Sequence, residues 1–288
     1  MTSAAPHELP VMRGAMLTLS ALLEARTGQR LSAERAWRLE TELRPVLQAH
    51  GFRDVAILAA HLARHGDARL ETEVVDALLN NESSFFRDAQ IFGMIRDAIL
   101  PHIHAHKGDR RLRVWSAGCS TGQEAYSLAI QFCSDPDLWR DWRVEILATD
   151  ISARAIERAR AGLFSQIDIQ RGLAVTEMLR WFEPEANGWR ASRPLREMID
   201  FRQDNLFDAH APGGAYDLLL CRNVMLYFTQ DRRRQLFDLL RRHSHDRSVL
   251  LLGAGETAMG HGDPFVPHSR FRGAYCLPAA PERTCRAI

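Results

Sequence analysis

The chain lacks the features that define several large classes of protein. No apolar run approaches the roughly 20 residues of a transmembrane helix, and the N-terminal MTSAAPHELP has no basic stretch followed by an apolar one, so we expect no secretory signal. The five cysteines include no Cys-x-x-Cys pair, which argues against a disulfide framework or a zinc site. A net charge of +1 gives no basic excess for nucleic acid. We therefore expect a cytoplasmic globular protein without a metal, a nucleic-acid partner or a membrane insertion.

The sequence that is present has two parts with different apolar periodicities. Between about residues 12 and 80, apolar side chains recur at helical spacing, which predicts a small helical module. Beyond residue 110, short β-rich runs alternate with helical ones, which is typical of a mainly parallel sheet covered on both faces. The predicted strands are LRVWSA (112–117), VEILAT (144–149), IDFRQ (199–203), YDLLLC (216–221) and SVLLLGA (248–254). The predicted fold class is α/β, preceded by an all-helical domain.

Two local features modify this outline. The alternation of strands and helices stops between residues 162 and 198, which indicates an inserted subdomain with a small hairpin around Asn187-Gly188. Pro45 lies inside an otherwise helical pattern, so we expect that helix to be kinked or shortened.

Polar residues that follow the predicted strands indicate a ligand site, because ligands of open α/β sheets lie beyond the carboxyl ends of the strands. The first strand leads into AGCSTGQE (117–124), a turn of small residues that is not a G-x-G-x-x-G fingerprint and on its own is more often structural. The second strand ends in Asp150, a carboxylate that can accept hydrogen bonds from ribose hydroxyls or cap the next helix. The next two strands lead to Asn205 and Asn223, whose amides can read an adenine edge or an ammonium, or simply form turns.

An adenosine-containing ligand suits this arrangement, and Glu124 favours one kind of adenosine ligand over another. A dinucleotide places its pyrophosphate at a helix N-terminus, where the carboxylate of Glu124 would repel it. A ligand with a positively charged amino-acid end would be attracted instead. The residues therefore favour S-adenosylmethionine over a nicotinamide dinucleotide, and the missing glycine fingerprint disfavours a nicotinamide-dependent oxidoreductase.

Five motifs follow one another along the chain, namely NESSFFR (81–87), VWSAGCSTGQEAYSLA (114–129), ATDIS (148–152), DNLF (204–207) and DLLLCRNVMLYF (217–228). Taken together, they resemble the CheR-type chemotaxis receptor methyltransferases. The resemblance implies an all-helical N-terminal domain joined to a Rossmann-like, S-adenosylmethionine-dependent methyltransferase domain with a small inserted β-subdomain. On this basis residues 1–80 form the receptor-recognition domain and 81–110 a linker that contributes to the cofactor site. Residues 111–288 form the methyltransferase domain, with the insertion at about 165–198.

The resemblance also implies roles for particular residues. Arg87 and Tyr227 would lie beside the reacting methyl group, while Phe85 and Phe86 would anchor the segment that carries Arg87. The residues expected to contact S-adenosylmethionine are Asn81, Ser83, Arg87, Glu124, Asp150, Asn205, Leu206, Asn223 and Val224.

The implied reaction is methyl transfer from S-adenosylmethionine to glutamate side-chain carboxylates on the cytoplasmic methylation helices of chemoreceptors. The products would be glutamyl methyl esters and S-adenosylhomocysteine. A glutamate side chain, whose ordinary pKa is about 4.3, is already ionised at neutral pH, so no general base is needed. Arg87 or Arg222 could hold the acceptor carboxylate and Tyr227 could orient it. We expect the enzyme to act as a monomer.

Three departures from the family pattern bear on the substrate. The helix that docks on the receptor often reads R-L-x-x-R-L-R-x-x-G in the family, whereas this chain has ELRPVLQAHG (42–51). Arg35, Arg38 and Arg44 could substitute for the missing arginines, but Glu40 and Glu42 dilute them.

The second departure is WFEPEANGWRA, which is shorter and poorer in glycine than in members that grip a receptor's C-terminal pentapeptide, so we expect a pentapeptide-independent enzyme. The third is Gly253-Ala254-Gly255-Glu256 in place of Gly-His-Ser-Glu, a change whose effect does not follow from the sequence. The altered docking helix also motivates an alternative function, an S-adenosylmethionine-binding regulatory or scaffold protein of a non-chemotaxis signalling system.

Overall fold

The computed structural model describes residues 8–31, 38–208, 213–260 and 264–278, and side chains from residue 13 onward. Four helices form the N-terminal module: α1 (Glu8–Thr27), α2 (Leu39–His50), α3 (Val55–His65) and α4 (Ala68–Leu78). Asp54 and Asp67 cap α3 and α4 by accepting hydrogen bonds from backbone N–H groups in the first turn. Fully buried leucines on α1, α2 and α3 and a buried valine on α4 form one core, so the helical periodicity of the sequence corresponds to a packed module.

Pro45 does not end its helix, because α2 continues past Pro45 to His50; the expected kink stays a prediction. Proline removes one intrahelical hydrogen bond, but Leu43, Val46 and Leu47 on this helix are buried. The packing of that apolar face offsets the lost bond.

The segment between the module and the first strand is mostly helical. It contains α5 (Ala89–Met94), a π-helical turn (Ile95–Ile99) and α6 (Leu100–His106), which follow one another without a break. Its buried side chains, Phe92, Ile95, Ile99 and Ile103, belong to the core of the following domain. The predicted linker 81–110 is thus an extended stretch followed by helices that cover the sheet.

A seven-stranded sheet forms the centre of the second domain, in the order β6-β2-β1-β7-β8-β10-β9. The first five strands in this order pair in parallel, and the last two join antiparallel. The strands are β1 (Arg111–Ala117), β2 (Arg143–Asp150), β6 (Ile199–Gln203), β7 (Tyr216–Cys221), β8 (Ser244–Leu252), β9 (Val266–Pro267) and β10 (Ala274–Cys276). The connecting helices are α7 (Gln123–Ser134), α8 (Pro136–Trp139), α9 (Ala153–Ala161), α12 (Arg193–Glu197) and α13 (Gln230–Arg242).

Both faces of the central strands β1 and β7 are buried, as their continuous apolar sequences predict. Val114 and Leu218 belong to the core on one face, while their neighbours Trp115 and Leu219 belong to the core on the other. Trp115 pairs in register with residues of β2 and β7, so it lies in the middle of the sheet. The predicted Rossmann-like α/β architecture is confirmed.

The inserted subdomain is a three-stranded antiparallel sheet with two short helices. It consists of β3 (Leu163–Phe164), α10 (Gln166–Gln170), α11 (Val175–Trp181), β4 (Phe182–Glu185) and β5 (Gly188–Ala191), with sheet order β3-β5-β4. Pairing of Glu185 with Gly188 closes the hairpin expected at Asn187-Gly188. The subdomain begins at Leu163, slightly before the predicted position.

No described helix in either domain combines the length and apolar character needed to cross a membrane.

Candidate functional site

A cavity lies where the strand order of the sheet reverses, beyond the carboxyl ends of β1 and β7. This is the position at which open α/β sheets bind their ligands. Four pieces of chain meet there: the end of α1, the segment after α4, the loop after β1 and the loop after β7. The lining residues are Gln29, Asn80, Glu82, Ser83, Ser84, Arg87, Gly118, Cys119, Ser120, Glu124, Arg222, Asn223, Val224, Leu226 and Tyr227.

The loop after β1 follows a course that requires glycine. Gly118 has φ +78°, and a Cβ there would lie 2.4 Å from Cγ2 of Val224. Its N–H and that of Cys119 both donate to the carbonyl oxygen of Thr149, at 2.8 and 2.9 Å. The loop is therefore held against β2 and packed beneath Val224, which brings the two loops of the site into contact.

Asp150, at the end of β2, binds the backbone of this loop. Its carboxylate accepts hydrogen bonds from the backbone N–H of Ser120 at 2.8 Å and of Ser152 at 3.0 Å. The helix cap is Ser152, whose Oγ accepts from Ala155 N–H, so the alternative prediction that Asp150 caps α9 is wrong. Burial raises the pKa of Asp150 above its usual range, and the two N–H donors offset part of that rise.

The loop after β7 is organised by Glu256. One carboxylate oxygen accepts from the N–H groups of Asn223 and Gly253, and the other accepts from the N–H of Met225, all at 2.8 Å. Asn223 has φ +60°, a conformation that asparagine tolerates better than most residues. Glu256, for which the sequence indicated no role, therefore fixes the backbone that presents Asn223, Val224 and Tyr227 to the cavity.

A charge cluster around the buried Arg222 forms the floor of the site. Arg222, with 1% of its side chain exposed, donates to Glu124 at 2.9 Å and to Asp88 at 2.5 Å. It also donates to the carbonyl oxygen of Arg87, and the second oxygen of Glu124 accepts from Ser116 Oγ. Two carboxylates against one guanidinium leave a net negative charge beside the cavity. Both acids already engage the guanidinium of Arg222, which leaves Arg87 as the better candidate to hold an incoming carboxylate.

Tyr227 is held by the N-terminal helical module. Its hydroxyl accepts a hydrogen bond of 2.7 Å from the side-chain amide of Asn80. Its carbonyl oxygen accepts from the N–H of Arg30 at 2.8 Å, and Gln29 pairs with Phe228 in an isolated antiparallel bridge. The site is therefore closed by residues from both domains.

The segment 80–88 combines anchoring rings with polar groups that line the cavity. Phe85 is fully buried, with ring centroids 4.9 Å from Phe164 and 5.4 Å from Phe182 of the inserted subdomain. Phe86 packs on Phe92. Arg87 lines the cavity and donates to the carbonyl oxygen of Glu82 at 3.3 Å. Packing of the two rings thus accounts for the position of Arg87.

Six of the predicted site residues line the cavity, namely Ser83, Arg87, Glu124, Asn223, Val224 and Tyr227. Four others do not, namely Asn81, Asp150, Asn205 and Leu206. Asn205 borders a neighbouring groove, where its amide donates to the carbonyl oxygen of Arg26 and accepts from the N–H of Phe207. Asn81 contributes its carbonyl oxygen to Ser120 Oγ, and Leu206 packs against the core that contains Trp115.

Several residues that line the cavity were not predicted as site residues from the sequence. Asn80 stands directly before the motif at 81–87, so its proximity could have suggested it, whereas Gln29 lies on the other domain with no motif around it. Two buried polar atoms of residues that line the cavity, Gln29 Oε1 and Arg222 Nε, have no hydrogen-bond partner among the described residues. Such orphaned polar atoms fit a site that receives a polar ligand. No group of three or more His, Cys, Asp or Glu in the described part of the chain is arranged to hold a metal ion.

Comparison with known proteins identifies relatives across most of the chain. A family model described as CheR methyltransferase, SAM binding domain, matches residues 81–270. Chemotaxis protein methyltransferase Cher2 of Pseudomonas putida is 31% identical over 84% of this chain and 90% of that protein. Chemotaxis protein methyltransferase 1 of Pseudomonas aeruginosa is 33% identical over 81% of this chain and 86% of that protein. A chemotaxis protein methyltransferase of Borreliella burgdorferi is 29% identical over 81% of this chain and 84% of that protein.

Proposed function

Because the chain belongs to the CheR methyltransferase family, we propose that it methylates glutamate side chains of chemoreceptors, with S-adenosylmethionine as the methyl donor. The products are glutamyl methyl esters and S-adenosylhomocysteine. The observation that carries the proposal is the cavity at the reversal point of the sheet, where Arg87 and Tyr227 line the same space as the acidic floor formed by Glu124.

The charge of the cavity suits a cationic methyl donor. S-adenosylmethionine carries its methyl group on a positively charged sulfur, so transfer joins the methyl carbon to a carboxylate oxygen while the carbon–sulfur bond breaks with its electron pair on sulfur. Glu124, Asp88 and Arg222 together carry a net negative charge, which favours binding of a cation. Ser83, Asn223 and Ser120 supply the uncharged hydrogen-bonding groups around it.

The acceptor carboxylate requires positioning rather than deprotonation. A glutamate is ionised at neutral pH, and the described lining contains no histidine that could act as a base. We assign to Arg87 the electrostatic attraction of the carboxylate and to Tyr227 its orientation by a hydrogen bond. Alignment of reactants in a site of this kind can contribute several kcal/mol to the rate, on the order of 7 kcal/mol in favourable cases.

We propose that this protein does not recognise the receptor through a basic face of α2. The first turn of α2 carries Glu40 and Glu42, and Arg38 is paired with Glu42 at 3.8 Å. Arg44 is exposed, while Arg35 lies outside the described residues. The helical domain 1–80 would then recognise the receptor through a mixed-charge surface, as a monomer in the cytoplasm, where the methylation helices lie.

We also propose that methylation is independent of a C-terminal receptor pentapeptide. The support is the small size of the hairpin β4–β5, whose strands have four residues each. Receptor fragments with and without their last five residues should be methylated at equal initial rates. A large rate loss on truncation would contradict this part of the proposal.

Incubation of purified protein with S-adenosylmethionine and cytoplasmic receptor fragments tests the main proposal. Mass spectrometry should find methyl esters on glutamates of the methylation helices, and mild alkali should release them as methanol. The scaffold alternative predicts binding of S-adenosylhomocysteine without ester formation on any receptor, and that result would refute the enzymatic proposal.

A further inference from the structure

The contact between Asn80 and Tyr227 joins two distant parts of the chain at the cavity. Asn80 follows α4, at the end of the N-terminal module, and Tyr227 follows β7. Asn80 Nδ2 donates to Tyr227 Oη at 2.7 Å, and both residues line the cavity. The inference drawn from this contact rests on the proposed function, in which Tyr227 orients the acceptor carboxylate.

The direction of this hydrogen bond determines what the tyrosine can do next. A phenol oxygen can accept a hydrogen bond and also donate its own proton, whereas an amide N–H can only donate. Because Tyr227 accepts from Asn80, its O–H remains available to a second acceptor. Accepting one hydrogen bond also polarises the O–H group and strengthens the bond that it donates.

The backbone of Tyr227 is fixed independently of its side chain. Arg30 N–H donates to the Tyr227 carbonyl oxygen at 2.8 Å, and Gln29 pairs with Phe228. On the other side of the turn, Glu256 accepts from the N–H of Met225 at 2.8 Å. With the main chain held at these points, the Asn80 amide needs only to set the orientation of the hydroxyl group.

We propose that Asn80 is a positioning residue that orients the Tyr227 hydroxyl to donate its proton in a hydrogen bond to the acceptor carboxylate. The N-terminal helical module therefore completes the active site as well as contacting the receptor. Asn80 itself touches neither the reacting methyl group nor the carboxylate in this scheme, and its influence is exerted through Tyr227.

Asn80→Asp is the sharpest test, because it keeps the side-chain shape and replaces the N–H donor by an acceptor. The aspartate would itself accept the hydrogen bond that the Tyr227 O–H donates, so turnover should fall by about tenfold or more, as expected for loss of a hydrogen bond to a charged group. Asn80→Ala leaves the tyrosine unoriented but free to donate, so its loss should be smaller. The KM for S-adenosylmethionine should change by less than about twofold in either variant, since the transferred methyl group is not held by Asn80.

Two controls separate positioning from general damage. In a Tyr227→Phe background, Asn80→Asp should cause no further loss of turnover, because the hydroxyl on which it acts is absent. Asn187→Asp, in the exposed hairpin turn of the subdomain, makes the same chemical change away from the cavity and should leave turnover unchanged. Full turnover of Asn80→Asp, or a loss of equal size in the Tyr227→Phe background, would overturn the inference.

A spectroscopic measurement tests the same contact without any receptor. The Cζ resonance of isotope-labelled Tyr227, identified by its disappearance in Tyr227→Phe, reports the hydrogen bonding of the hydroxyl. It should shift in Asn80→Asp and remain in place in Asn187→Asp, and an unmoved resonance in Asn80→Asp would overturn the inference. If the wild-type protein methylates no receptor, the proposed function fails, while the resonance still decides whether Asn80 orients Tyr227.

Discussion

At the residue scale, Arg222 and Glu256 are charged side chains near the cavity that form hydrogen bonds with the backbone around it. Arg222 follows directly after β7, where a ligand contact is expected, but its guanidinium is buried between Glu124 and Asp88. Glu256 lies in a loop whose sequence suggested no role, yet its carboxylate accepts three backbone N–H groups. Buried charges are stable only when they are paired in this way.

Asp150→Ala should weaken binding of S-adenosylhomocysteine. The variant removes the acceptor of the Ser120 and Ser152 N–H groups, which frees the loop that lines the cavity. Loss of a charged acceptor costs about 1.5–3 kcal/mol, which corresponds to a roughly 10- to 100-fold higher Kd. Calorimetric titration measures this directly. An unchanged Kd would show that Asp150 supports neither the loop nor the ligand.

At the scale of the elements, the loops after β1 and β7 form one unit with the strands behind them. Gly118 packs under Val224, and Glu256 connects the turn after β8 to the turn after β7. The extended segment after α4 joins the same unit through Asn81, whose carbonyl oxygen accepts from Ser120 Oγ at 2.8 Å. Disturbance of any one of these loops should therefore reach the cavity.

Glu256→Gln should destabilise the loop after β7. A glutamine retains one acceptor oxygen and brings an NH₂ group against a backbone N–H that previously donated, so at least one hydrogen bond is lost. We expect the free energy of unfolding to fall by about 1–3 kcal/mol, with weaker binding of S-adenosylhomocysteine. Urea unfolding and calorimetry measure the two effects. The control is Glu183→Gln, an exposed change on β4, which should alter neither the free energy of unfolding nor the affinity for S-adenosylhomocysteine. If both quantities of Glu256→Gln equal those of the wild type, Glu256 does not anchor the loop.

Gly172→Ala should separate the inserted subdomain from the segment that carries Arg87. Gly172 has φ +89°, and a Cβ there would lie 1.9 Å from the carbonyl oxygen of Phe85. Gly273 offers a matched control, since its φ is +83° and a Cβ would meet no atom within 4 Å.

Both alanines carry the backbone cost of a left-handed conformation, about 1–2 kcal/mol. Only Gly172→Ala adds the clash with Phe85, so its loss of unfolding free energy should exceed that of Gly273→Ala. If urea unfolding shows equal losses of unfolding free energy in the two variants, the contact between the subdomain and the segment does not stabilise the protein.

At the scale of the whole molecule, an ion cluster stabilises the end of the sheet opposite the cavity. Asp217, at the beginning of β7, accepts from Lys107 at 2.5 Å, His245 at 3.0 Å and the N–H of Arg113 at 2.8 Å. These contacts connect the end of α6 with β1, β7 and β8. Burial alone would raise the pKa of Asp217, but the hydrogen bonds from His245, Lys107 and Arg113 outweigh it and lower the pKa.

The sign of this pKa shift predicts acid sensitivity. A carboxyl group with a lowered pKa in the folded state contributes stability above its unfolded pKa of about 3.9, and that contribution is lost as the pH falls through the folded pKa. Asp217→Asn should lower the unfolding free energy by about 2 kcal/mol at neutral pH. The difference from wild type should shrink below about pH 4. Urea unfolding over a pH series measures it, and a difference independent of pH would contradict the assignment.

Local patterns sufficed for most strands of the parallel sheet, whereas contacts between distant residues did not follow from them. Four of the five predicted strands lie within the observed strands. Three of them, β1, β2 and β7, are central strands in which burial on both faces leaves a nearly continuous apolar run. The hairpin at Asn187-Gly188 is likewise a local property of the sequence. The burial of Arg222 and the contact of Asn80 with Tyr227 depend on tertiary packing, which no spacing in the sequence encodes. For the same reason the sequence did not indicate that the side-chain amide of Asn205 donates to the carbonyl oxygen of Arg26.

In the proposed function, the cavity beyond β1 and β7 binds the methyl donor. Hydrogen exchange of the wild-type protein, measured by mass spectrometry with and without saturating S-adenosylhomocysteine, tests it most directly. We predict slower exchange in residues 80–87, 118–124 and 222–227, and unchanged exchange in the hairpin β4–β5. Additional protection of 204–206 would support the sequence-based assignment of Asn205 and Leu206. If exchange is unchanged in all three cavity segments, whether or not other segments are protected, the methyl donor does not bind in this cavity.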